Sequence, residues 1–125
     1  MQQAEINRII DEIIFLPERF HLENKSILTL LKETGYFEHF DSVNETDISE
    51  RLAIYPRCIE KWMILSLDNR TGQGWGISDD ESGKYSVWYY PPQEDLPLIE
   101  FDNIQKACAT FIKLEIESIR KIKYG

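Results

Sequence analysis

A chain of 125 residues, 42% hydrophobic and 12% aromatic, is the size of one domain around one core, with 29% charged residues to keep its surface wet. A net charge of -8 and a pI near 4.7 exclude a surface built to neutralise phosphates, so nucleic acid is not an expected partner. No apolar run approaches the ~20 residues of a membrane helix, and the start, MQQAEINRII, has no basic stretch leading into an apolar one; a single domain over 1-125, cytoplasmic and without membrane contact, is the expectation.

Ile6, Ile9, Ile10, Ile13 and Ile14 recur at helical spacing opposite Asn7, Arg8, Asp11 and Glu12, which predicts an amphipathic helix ended by Pro17. Ile27, Leu28, Leu30 and Leu31 predict a second helix, capped by Asn24 or Ser26 and stopped by Gly35. Tyr36 to Val43 reads as a loop with aromatic anchors. A third helix is expected from Thr46, with Ile48, Leu52 and Tyr55 on its apolar side, Pro56 as a break, and a further turn through Ile59 to Trp62.

Trp62 to Leu67 is almost continuously apolar and reads as a central strand covered on both faces. Trp75 to Ser78 and Tyr85 to Tyr90 follow as strands separated by the turn from Asp79 to Lys84, and Pro97 to Phe101 as an edge strand. In the last helix, capped by Asp102 or Asn103, Ile104, Ala107, Cys108, Phe111, Ile112, Ile116 and Ile119 share one face, and Arg120, Lys121 and Lys123 suit the negative end of its dipole. The expected class is α+β: N-terminal helices, an antiparallel meander of three to four strands, and a long C-terminal helix packed on the sheet, with the N-terminal helix against the same meander.

Catalytic signatures are absent. There is no nucleophile elbow, phosphate loop, dinucleotide fingerprint or H-E-x-x-H pair, and the alternating glycines Gly72, Gly74 and Gly76 sit between strands instead of opening a helix. His21 and His39 lack a second ligand at metal spacing, so neither metal nor cofactor is expected. Cys58 and Cys108 form no C-x-x-C pair and read as buried free thiols. Asp68 and Arg70 read as a salt-bridged turn flanked by tryptophans.

The spacing Ile48-x3-Leu52-x3-Pro56-x2-Ile59-x2-Trp62-x3-Ser66-x-Asp68-x-Arg70-x4-Trp75, then Tyr85-x-Val87, then Ala107-x3-Phe111-Ile112-x2-Glu115, resembles small bacterial immunity proteins of polymorphic-toxin and contact-dependent growth inhibition systems. The resemblance implies a protein, not an enzyme, that binds and neutralises a cognate secreted toxin domain, often a nuclease. It carries over no binding residues. Charge supplies candidates of its own: from Asp79 to Asp102 stand seven acidic residues against Lys84 alone, which makes Asp79, Asp80, Glu81, Glu94 and Asp95 the expected contacts of a basic partner. Two alternatives stand beside it: an enzyme with a pocket between sheet and last helix using Asp68, Arg70 or Tyr85, and a homodimeric adaptor pairing through the edge near Leu98 to Glu100; the protein is expected as a monomer or homodimer.

Overall fold

The computed structural model describes residues 2–68, 74–80, 82–96 and 98–124, without the side chains of 67, 68 and 122–124. The isoleucine stripe forms α1 (Gln3–Ile14), which buries Ile9, Ile10, Ile13 and Ile14. Pro17 does more than end it. Phe15 breaks the helix, and α2 (Leu16–Leu22) begins at once with Pro17 in its first turn, where a missing N–H leaves no bond unmade.

Ser26 caps α3 (Ile27–Glu33) by accepting from the Thr29 amide at 3.1 Å. Gly35, at φ 90°, then lets the chain reverse into α4 (Tyr36–His39) and a 3-10 turn over Phe40–Ser42, where a loop was expected. Helix α5 (Glu45–Ile54) starts earlier than expected, because Asn44 and not Thr46 accepts from an amide of the first turn, that of Asp47 at 2.8 Å.

The main correction concerns Trp62 to Leu67, which is not a strand. It belongs to α6 (Arg57–Asp68). Period two would bury Ile64 along with Trp62, yet Ile64 is 48% exposed and Trp62 1%. Cys58, Ile59, Trp62, Leu65 and Ser66 are the buried positions, spaced three and four apart, and so lie on one helical face.

The sheet therefore has three antiparallel strands in the order β1 (Gly74–Asp79), β2 (Tyr85–Tyr90) and β3 (Ile99–Phe101). Ile77 pairs with Val87 and Val87 with Ile99; Asp79 pairs with Tyr85 and Tyr85 with Phe101. Positions in register share a face, so Trp75, Ile77, Val87, Ile99 and Phe101 point one way and Gly76, Ser78, Ser86, Trp88, Tyr90 and Glu100 the other.

Helix α7 (Ile104–Tyr124), capped by Asn103 onto the Lys106 amide at 3.1 Å, packs on all three strands and on α5 and α6. Residues 107–112 are buried without interruption, as in a helix surrounded on most sides. Helix α1 packs chiefly on α5, with further contacts to α2 and α6, so it backs the helical layer more than the meander. Arg51 fixes that layer by reaching both carboxylate oxygens of Asp11 at 2.7 Å.

Candidate binding surface

Turned away from α7, the outer sheet face is aromatic. Trp88 fills the space above Gly76, where a Cβ would lie 2.5 Å from the indole Cη2, and its Nε1 donates to Ser78 Oγ at 3.1 Å. Tyr90, on the same face, is 56% exposed. Glu100 stands exposed on the neighbouring strand opposite Ser86. Large rings held by packing and bordered by carboxylates can anchor a protein contact at small conformational cost.

The acidic candidates divide between the two ends of this sheet. Asp79 ends β1 and is exposed, close in register to Tyr85, Phe101 and the exposed Asp102. Asp80 follows it, but its carboxylate is already engaged: Oδ1 accepts from Ser82 Oγ at 2.7 Å, the Ser82 amide at 2.9 Å and the Lys84 amide at 3.0 Å. Those bonds, that of the Ser82 side chain foremost, hold Asp80 below the usual carboxylate range. It builds the hairpin turn. Glu94 and Asp95 are exposed in a turn closed by the Leu96 amide on Gln93 carbonyl, beyond the Tyr90 end of β2, an end that lies about 17 Å from Asp79 along a strand rising ~3.4 Å per residue. Glu81 lies outside the described residues, as do Arg70 and the Asp68 side chain.

The two sheet edges differ. Ser66 Oγ accepts from the Ile77 amide at 3.3 Å, so α6 satisfies an outward amide of β1 and blunts that edge. The β3 edge is short and carries Glu100 at its centre.

Between α6, β1 and α7 lies a recess of about 180 Å³, lined by Trp62, Trp75, Phe111 and Glu115, with Ser66 and Ile119 among the remaining walls. This is where an enzyme pocket was expected, but Tyr85 does not line it. Burial pushes the Glu115 carboxyl above its ordinary value.

A second polar constellation joins α4 to α7. Tyr36 donates its hydroxyl proton to Glu117, and Lys113 Nζ donates to that hydroxyl and to the Phe40 carbonyl, both at 2.9 Å. Arg120 grips Glu117 at 2.8 and 2.9 Å while lying 3.8 Å from the Phe40 ring centroid. Glu117 is held down at about 2, by Arg120 first and then by Tyr36, while burial lowers Lys113 and raises Tyr36. Arg120 thus does more than sit at a helix end: it closes a network whose groups satisfy one another and tie two elements far apart in sequence. Only the Glu117–Arg120 spacing of three gave a local hint of it.

Among the described residues, no group of His, Cys, Asp and Glu side chains could hold a metal ion, and no helix is long and apolar enough to cross a membrane. No family model, no curated protein and no solved structure matches the chain.

Proposed function

We propose that this is an immunity-type protein that binds a basic secreted toxin domain in the cytoplasm of the producing cell and blocks it. The observation that carries the reading is the outer sheet face, where Trp88 and Tyr90 offer aromatic anchors beside Glu100, with Asp79 and Asp102 exposed at the hairpin end of the sheet. The rings would provide the desolvated centre of the contact and the carboxylates the long-range attraction that steers a cationic partner. Asp80 keeps the hairpin that carries Asp79. Glu94 and Asp95 would reach a partner large enough to span the sheet.

The test is co-expression with the C-terminal domain of a large secreted protein encoded beside this chain. The expected result is rescue of growth and a one-to-one complex, with rescue lost in Trp88→Ala combined with Tyr90→Ala. Rescue that survives both substitutions moves the contact off this face. A neighbouring domain that is harmless, or toxic but unbound, removes the immunity reading altogether.

A further inference from the structure

Glu115 has a carboxylate in aromatic surroundings and, among the described residues, neither a hydrogen-bond nor an ion-pair partner. Other partly buried acids among the described residues are paired, such as Asp11 with Arg51, and Glu117 with Arg120 and Tyr36. The walls around Glu115 are Trp62, Trp75 and Phe111, fixed by neighbours of their own: Trp62 donates Nε1 to the Ile14 carbonyl at 3.0 Å, Phe111 meets Trp62 edge-on at 6.0 Å, and Trp75 meets Tyr89 at 5.2 Å. The recess is therefore shaped in advance.

We propose that this recess binds the guanidinium of an arginine side chain presented by a protein partner. A carboxylate beside indole and phenyl rings is complementary to an organic cation, through charge on one side and the negative ring faces on the other. Guanidinium suits it better than ammonium because it is flat, weakly hydrated and able to bond both oxygens of a carboxylate. The volume, about 180 Å³, fits a group of that size, since a cavity of ~150 Å³ already accepts benzene. Of the other described walls, none is ionisable and Ser66 alone has a polar side chain, itself engaged with the Ile77 amide. Among the described walls the recess thus has a counter-group for one cation and none for the α-carboxylate or α-ammonium of free arginine. The ligand backbone must lie outside, as it does when the guanidinium belongs to a polypeptide. The site is separate from the outer sheet face and does not depend on the toxin reading.

The experiment is an NMR titration of the full chain with N-acetyl-arginine-N-methylamide, alongside its lysine and citrulline counterparts and free arginine. Expected are saturable shifts at the Trp62 and Trp75 indoles and the Glu115 carboxyl, with a dissociation constant on the order of millimolar for one anchoring side chain. The lysine compound should bind more weakly and the uncharged citrulline compound not saturably; Glu115→Gln should weaken the arginine compound about tenfold, the loss of one charge-assisted pair. Equal binding of the citrulline compound, or no saturable shift with the arginine compound, overturns the proposal. Tighter binding of free arginine overturns the polypeptide source. Should Glu115→Gln fail to fold, the wild-type carboxyl decides: saturating arginine compound must lower its titration midpoint, and an unmoved midpoint refutes the pairing.

Discussion

The Trp88 indole occupies the volume that any side chain at position 76 would need, so Gly76 is what lets the ring lie across β1 and reach Ser78. Gly76→Ala should swing the indole off the sheet and break its bond to Ser78, with a net stability cost of about 0.5–1.5 kcal/mol. Binding should suffer more than folding. The Trp88 indole resonance and partner affinity, measured on the same variant, check this; an unmoved resonance would remove the assigned role of Gly76.

Asp79 and Asp80 are neighbours with different duties, and charge reversal separates them. Asp79→Lys with Asp102→Lys should fold normally and slow association with a basic partner, with little change in dissociation, because exposed charges act on encounter. Raising salt should slow the wild type in the same way. Asp80→Ala should instead loosen the hairpin, seen as faster amide exchange at Ser82 and Lys84. Unchanged association of the double variant at low salt would reduce Asp79 and Asp102 to solubilising charges.

Phe111 lies 2% exposed against Trp62 in the heart of α7. Phe111→Ala should cost about 3–5 kcal/mol in urea unfolding, the loss of a large ring plus the cavity left behind. A cost below about 1 kcal/mol, typical of a surface change, contradicts its place in the core.

Acid should release the clamp between α4 and α7. Glu117 titrates at about 2 in the folded chain against 4.5 as its ordinary value, so the folded state binds this proton less readily than the unfolded one. Its stabilising contribution is fully present above about 4.5 and is lost as pH falls toward about 2. Glu117→Gln should flatten the acid limb of stability against pH over that window. Parallel limbs for the two proteins would show that another group governs it.

Cys58 and Cys108 are both free and buried; burial pushes Cys58 up to about 11 and Cys108 further in the same direction. At pH 8 the nucleophilic thiolate is therefore scarce at both positions. A thiol reagent should label neither in the folded protein and both after denaturation. Rapid labelling of the native chain contradicts the enclosed setting of these residues.

Elements whose periodicity outlasts two turns were legible from residues alone. The isoleucines of α1 and the stripe from Ile104 to Ile119 announce their helices because three- and four-residue spacing has one economical solution. Tyr85 to Tyr90 announces a strand through its β-branched and aromatic content. Trp62 to Leu67 misled because five of its six residues are apolar and fit both periods, and Ile64, left on the surface, hides the helical one. Of the site, the exposed acids could be named from sequence, but not that Asp80 is spent on its own turn.

The sequence by itself determined an acidic α+β chain, its first and last helices and the hairpin of β1 and β2, since these follow from local spacing, capping groups and turn chemistry. Tertiary structure alone decided which face of the sheet α7 covers, and with it that Trp88 and Tyr90 look outward. It also placed Glu115 among three rings and joined Tyr36 to Glu117 across a separation of 81 residues. Such pairings leave no mark on neighbouring positions, because the energy that selects them comes from burial and charge shared between distant segments once the chain has closed around α7.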